Sequence, residues 1–304
     1  MALWLSLMLY MWLGVRAPMY KCTLLSFGVF AAVTAFKAES IVIRHDVTDE
    51  KYHATVDDFP PLATLYSIGV HGTLIEPRWV VTAAHTVFCM EPGDKIKVGN
   101  HWAEIEARYA HANYKVDAEN DIALLKLKQP VLAVKPAKIY RANDEVNQNI
   151  WFIGSGGTGN GNVGQTVSYQ ENNGKLRKAQ NKIERTSESE LFFVFDKGNK
   201  ALPLEGVSGN ADSGGPAYKK VGNDYFLYGI SSRADSWSKE VGEYGVSEAY
   251  SRISFHANWI DKVIGNDSAF MAKHTTQNRF PQENIKDNLV KVCEMIGFKH
   301  SDVL

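Results

Sequence analysis

The sequence predicts an all-β fold, a sandwich or a barrel arranged as two subdomains. Three observations carry this. Helix-period patterns are scarce before residue 255. Short apolar or alternating runs recur instead, and turn residues such as Glu91-Pro92-Gly93, Gly156-Gly157 and Asn173-Gly174 separate them. Many short strands between frequent turns are what sandwiches and barrels require.

In chain order the candidate strands are Leu74-Ile75, Trp79–Val81, Lys95–Val98, Trp102–Ile105, Ile122–Leu127, Ile150–Ile153, Leu191–Phe195 and Tyr225–Ile230. The polar stretch Ala142–Gln148 interrupts this series and marks the boundary between the subdomains. After Ile253 the period changes. Phe255–Ile264 predicts a helix, and Asn284–Ile296 predicts a second, with Ile285, Leu289, Val292 and Ile296 on one face. No internal repeat or low-complexity stretch is present.

A chain of 304 residues holds one large domain or two small ones. Its hydrophobic fraction of 45% and charged fraction of 22% are those of a soluble globular protein. A net charge of -1 gives no electrostatic reason for a nucleic-acid or anionic-membrane partner.

The N-terminus is apolar, broken by Arg16 and Lys21. Neither Ala2–Val15 nor Cys22–Phe36 is long enough to span a bilayer comfortably. From Met19 the pattern is that of a secretory signal: Lys21, then the apolar Cys22–Phe36, then small residues. Residues 1–40 are therefore read as a targeting segment, with 1–18 as an upstream extension. The expected destination is secreted or periplasmic, with no membrane contact once the signal is removed. Cleavage after Val33-Thr34-Ala35 is one option. Cleavage after Ala38-Glu39-Ser40 is the other, and it frees Ile41-Val42. Of the three cysteines, Cys22 leaves with the signal. Cys89 and Cys293 remain as an even pair in an oxidising compartment, either bridged or as two free thiols.

The chemistry concentrates in three places. Thr82-Ala83-Ala84-His85 supplies an imidazole. Asn120-Asp121-Ile122-Ala123-Leu124-Leu125 supplies a carboxylate at the head of an apolar run. Ala211-Asp212-Ser213-Gly214-Gly215-Pro216 supplies a hydroxyl. A serine is a poor nucleophile unless a base takes its proton, and the base works better when a buried carboxylate fixes its tautomer. His45, His53, His71, His101, His111, His256, His274 and His300 lack such company and are read as non-catalytic. No His-x-x-x-His or close cysteine pair suggests a metal, and no cofactor is required.

At these residues the sequence resembles the trypsin-like, chymotrypsin-fold serine peptidases, and is read as a secreted bacterial-type member. The resemblance runs from about Ile41 to Ile264. Gly72-Thr73-Leu74-Ile75, Trp79–His85, Asp121–Leu125, Asp212–Pro216 and Tyr250-Ser251-Arg252-Ile253 with Trp259-Ile260 stand in family order. It implies two six-stranded antiparallel β-barrels over 41–264, with the boundary near 142–148 and a C-terminal helix. Residues 265–304 form a helical extension with no counterpart in the minimal family domain.

The resemblance also assigns roles. Ser213 matches the nucleophile, His85 the general base and then acid, and Asp121 the orienting carboxylate; Ser232 matches a serine beside that carboxylate. The backbone N–H groups of Ala211 and Ser213 match the oxyanion donors, although the family has glycine where Ala211 stands. Ile41 and Asp212 match the buried pair formed by the mature ammonium, although Ile43-Arg44 replaces the usual glycines. Val70, Thr86 and Gly209 stand where family cysteines would. The pocket is expected to involve Val207, Ser208, Asn210, Ser232, Arg233 and Glu248. Val207 replaces the aspartate that selects basic side chains; Glu248 offers a carboxylate for the same purpose, and Arg233 offers the opposite, an acidic preference. The reading leans to cleavage after basic residues in protein or peptide substrates. The alternative is a protease-like binding protein with weak or absent turnover.

Overall fold

Alternation along the strands decides what faces inward. Lys95-Ile96-Lys97-Val98 folds as a strand with Ile96 and Val98 fully buried and both lysines turned out. The computed structural model describes residues 41–235, 239–277 and 300–304. The targeting segment 1–40, the predicted helix Asn284–Ile296 and Cys293 lie outside the described residues.

The chain enters through β1 (Ile41–Ile43). The first barrel then consists of β2 (Leu62–Tyr66), β3 (Gly69–Glu76), β4 (Trp79–Thr82), β5 (Lys95–Val98), β6 (His101–His111) and β7 (Ala123–Leu127). They pair in the order β6–β5–β2–β3–β4–β7, and β6 pairs β7 to close the ring. After β8 (Lys138–Ile139) comes β9 (Asn149–Gly154), followed by β10 (Thr158–Asn160), β11 (Gly164–Val167), β12 (Arg177–Thr186), β13 (Glu190–Val194), β14 (Gly206–Val207), β15 (Pro216–Val221), β16 (Asp224–Ala234) and β17 (Ser247–Arg252). The second barrel runs β15–β9–β12–β13–β17–β16 and closes through β15–β16. Closure leaves no long free edge. The fold is thus two closed six-stranded antiparallel barrels.

Each barrel has its own core. Leu65, Leu74, Val80, Ile96, Val98 and Leu125 fill the first, all fully buried. In the second, the rings of Phe152, Phe193 and Tyr250 meet with centroids within 5.0 Å. A third cluster joins the barrels and includes Val81 and Leu124 from one, Ile230 from the other, and Trp259 and Ile260 from the helix Ile253–Ile264. That helix starts two residues before the predicted Phe255 and buries Ile253, His256, Ala257, Ile260 and Val263 at helical spacing. It is followed by a shorter helix, Ser268–His274, inside the stretch read as a helical extension, and by β18 (Thr275–Gln277), a strand that adds to β6 and was not expected from the sequence. No helix among the described residues is long and apolar enough to cross a membrane.

Candidate active site

His85 follows directly from β4, in a single turn Ala84–Thr86, and Asp121 stands two residues before β7. Because β4 pairs β7 with Thr82 opposite Ala123, the two side chains come together. His85 Nδ1 lies 2.7 Å from Asp121 Oδ2, and the His85 backbone N–H donates to Asp121 Oδ1 at 2.9 Å. Ser232 Oγ donates to Asp121 Oδ2 at 2.7 Å, and Ser251 Oγ donates to the Asp121 carbonyl at 2.7 Å. Asp121 is 3% exposed. Burial alone pushes its carboxyl up, but the charge of His85 and the hydrogen bonds from His85 and Ser232 outweigh that and hold it below its ordinary value.

The loop that carries Ser213 is fixed against β3. Val70 N–H donates to the Ala211 carbonyl at 2.7 Å and His71 N–H to the Ser213 carbonyl at 2.8 Å, so β3 fixes the loop on two rungs. Gly214 has φ +73, and a Cβ there would meet the His71 carbonyl and Thr82 Oγ1, each at 2.2 Å. Only glycine permits that approach, which seats the serine loop on Thr82, three residues before His85. Asp212 N–H donates to the Gly209 carbonyl at 3.1 Å, closing a turn whose third residue, Ala211, has φ +71. That is the position of a type II turn that favours glycine. Neither Ala211 N–H nor Ser213 N–H donates a hydrogen bond among the described residues.

Asp212 points the other way, into the protein, and is 2% exposed. Its Oδ1 accepts Gly156 N–H at 2.6 Å and its Oδ2 accepts Gly209 N–H at 2.9 Å. The backbone N–H groups of Ser155 and Ile41 also favour its charge, yet burial wins and pushes the carboxyl up to about 6. Ile41 therefore reaches Asp212 through its amide. Ile41 has φ +57, a rare conformation for a β-branched residue.

The pocket residues divide. Ser208, Asn210, Ser232, Arg233 and Glu248 line a narrow cavity of about 90 Å³ together with Ser213. Val207 is not among its lining residues: β14 pairs β1 with Val207 opposite Val42, and the side chain packs with Val42, Phe195 and Val246. Arg233 is held by Glu190 on β13, with one contact very short and the other at 3.2 Å, so its charge is already matched. Sequence reasoning missed Glu190, because 43 residues separate the pair. It also missed Gln165, whose Oε1 accepts Asn210 N–H at 2.8 Å. Ser251 lies in the quoted Tyr250-Ser251-Arg252-Ile253 motif, which was the signal that marked it. A larger cleft of about 330 Å³, with His85, Tyr114, Asp117 and Arg233 on its walls, opens beside this cavity. Among the described residues, no group of three or more His, Cys, Asp or Glu is placed to hold a metal ion. Cys89 is 3% exposed and disulfide-bonded.

A family model described as Trypsin matches residues 51–260. The chain is 26% identical over 293 residues to Serine protease SSP1 of Scolopendra subspinipes, which spans 84% of this chain and 98% of that protein. It is 26% identical over 196 residues to Glucanase inhibitor protein 2 of Phytophthora infestans, covering 62% of this chain and 70% of that one. It is 27% identical over 217 residues to Vitamin K-dependent protein C of Mus musculus, covering 64% of this chain and 46% of that one. These organisms are eukaryotes, so the expected bacterial character gains no support.

Proposed function

This chain belongs to the trypsin family and is a serine endopeptidase, and we propose that Ser213, His85 and Asp121 are its catalytic residues. Ser213 Oγ attacks the carbonyl carbon of the scissile peptide bond and passes its proton to His85 Nε2. Asp121 keeps the other ring proton on Nδ1 and stabilises the imidazolium. The backbone N–H groups of Ala211 and Ser213 receive the oxyanion. His85 then protonates the leaving amine, and an acyl-enzyme on Ser213 remains. Water, deprotonated by His85, attacks that ester; the bond to Ser213 Oγ breaks, His85 returns the proton to that oxygen, and the new carboxylate leaves.

The single observation that carries this reading is the Asp121 carboxylate. Both of its oxygens are tied to His85, with Ser232 fixing the shared one, while the serine loop rests on Thr82. The substrates are proteins or peptides. The finer reading places Ile41 at the mature N-terminus of a secreted protein, freed by cleavage after Ser40, with its ammonium on Asp212. It pairs Cys89 with Cys293, tying the extension to the first barrel. It assigns 41–264 to the peptidase domain, and it assigns preference for basic side chains to Glu248.

A fluorophosphonate probe tests the core of this. One adduct is expected on Ser213, absent in Ser213→Ala, together with cleavage of a peptide library. A folded protein that takes no label and cuts nothing overturns the assignment and leaves the binding-protein alternative.

A further inference from the structure

The narrow cavity beside Ser213 contains Glu248, which is 5% exposed. Its Oε2 accepts Ser208 N–H at 3.1 Å, and its Oε1 meets no hydrogen-bond donor among the described residues. Among the described residues, the groups around it supply no free cation. On its own strand β17, the Tyr250 phenol is engaged with Ser208 Oγ. Across β13 its register partner is the apolar Phe193, and across β16 it is Ala234. Arg233 of β16 lines the same cavity but is committed to Glu190 and to the Ala118 carbonyl. Among the described residues, the other charged neighbour is Asp212, a second buried carboxylate, which opposes ionisation of the first. A buried carboxyl with one donor, no cation and a like charge nearby keeps its proton. Burial first, and Asp212 second, push Glu248 up to about 8.

We infer that Glu248 is a proton-coupled specificity residue that gives this cavity two substrate classes. As a carboxylic acid it receives an uncharged, hydrogen-bonding side chain such as glutamine. When the ammonium of lysine or the guanidinium of arginine enters, the Glu248 O–H bond breaks, the proton leaves to water, and the carboxylate pairs with the substrate cation, which keeps all its own protons. The inference rests on Ser213 being the nucleophile, so that this cavity receives the side chain before the scissile bond. The narrowness of the cavity matters, because a wide, wet pocket would solvate the carboxylate and erase the coupling.

Two measurements test it. The first compares matched peptide coumarylamides with Lys or Gln before the cleaved bond, reading kcat/KM at several pH values around that of Glu248. Taking the Lys:Gln ratio cancels any pH dependence of the chemical step, which both substrates share. The ratio is expected to rise roughly tenfold per pH unit on both sides of the Glu248 titration, because the carboxylate serves one substrate and the carboxylic acid the other. In Glu248→Gln the ratio is expected not to move with pH. The second measurement is calorimetry of benzamidine binding near neutral pH in buffers of different ionisation enthalpy. Release of about one proton is expected from the wild-type protein and none from Glu248→Gln. A flat Lys:Gln ratio in a wild-type protein that cuts both substrates overturns the inference. So does benzamidine binding without proton release, whether or not the variant folds. Loss of probe labelling at Ser213 with proton release intact strikes the catalytic assignment instead.

Discussion

Ser232 Oγ and His85 Nδ1 meet the same oxygen of Asp121, each at 2.7 Å. With Oδ1 taken by the His85 backbone N–H, the carboxylate has no freedom to rotate. An acceptor held at Nδ1 places the ring proton there and makes Nε2 the ring's accepting nitrogen.

Asp121→Asn tests that arrangement. The amide presents a donor where Nδ1–H must also donate, so the ring flips its tautomer and Nε2 carries the proton. In chymotrypsin-type enzymes the matching change costs about 10⁴-fold in kcat, and a loss of that order is expected here. Ser232→Ala removes one of several contacts and is expected to cost about tenfold, near 1.4 kcal/mol. Steady-state kinetics on one amide substrate compare the two. Equal, small losses would mean that Asp121 does not set the tautomer.

Ala211→Gly relieves a backbone that the turn imposes. Ala211 sits at φ +71, where an L-residue pays about 1–2 kcal/mol and glycine does not. Glycine costs the unfolded chain about 0.5–1 kcal/mol in entropy, so the net gain expected is below about 1 kcal/mol. Turnover is expected to hold or rise, because the N–H stays in place with less strain behind it. Thermal denaturation and active-site titration read both quantities. A large loss of rate would show that the alanine methyl helps to hold the loop.

The strands that sequence showed clearly are those whose inward positions are apolar, such as β5 and β7. β12 was not visible. Its burial alternates as regularly as any, but two of its inward residues are Arg177 and Asn181. Arg177 Nε and Nη2 donate to Asp49 at 2.6 and 2.8 Å, and Asn181 Nδ2 donates to the Gly206 carbonyl at 3.0 Å. Partners that distant leave no mark on a local pattern. The site follows the same rule. His85, Asp121 and Ser213 each sit inside a short motif and could be read, whereas the Glu190–Arg233 pair depends on the register of separate strands. Val207 was read by counting back from Ser213, and counting carries no information about its pairing with Val42.

A pair of buried histidines predicts an acid limit to stability. The rings of His111 and His256 lie 5.6 Å apart against Trp259, and neither nitrogen of His256 has a hydrogen-bond partner among the described residues. Burial, and secondarily a neighbouring imidazole, pull His256 down to about 3 and His111 down to about 4, from 6.5. The unfolded chain takes these protons near pH 6.5 and the folded chain does not. Their contribution is therefore complete above that pH and is lost as pH falls towards 4, at about 1.4 kcal/mol per unit for each group. His256→Phe is expected to shift the acid limb of a urea-midpoint profile to lower pH while holding the neutral midpoint. An unchanged acid limb would place the sensitivity elsewhere.

The strongest expectation about maturation concerns Ile41. Its φ of +57 is strained only while a carbonyl precedes it, and that strain is of order 1–3 kcal/mol. Its amide reaches Asp212, whose carboxyl burial pushes up to about 6 from 3.8. With the folded value raised, the contribution of Asp212 in the uncut chain is full below 3.8 and is lost as pH rises through about 6. Cleavage after Ser40 removes the carbonyl and sets an ammonium against the carboxylate, so the sign reverses. Leaving that carboxylate unpaired is costly, and pairing it removes the cost. Protein beginning at Ile41 is therefore expected to melt at a higher temperature than protein extended by Ser40 near neutral pH. The gap should narrow below about pH 6, where Asp212 takes a proton. Asp212→Asn should abolish its pH dependence and leave only the part due to backbone relief. Melting temperatures of the two forms that track each other at every pH would show that the new N-terminus does not find Asp212.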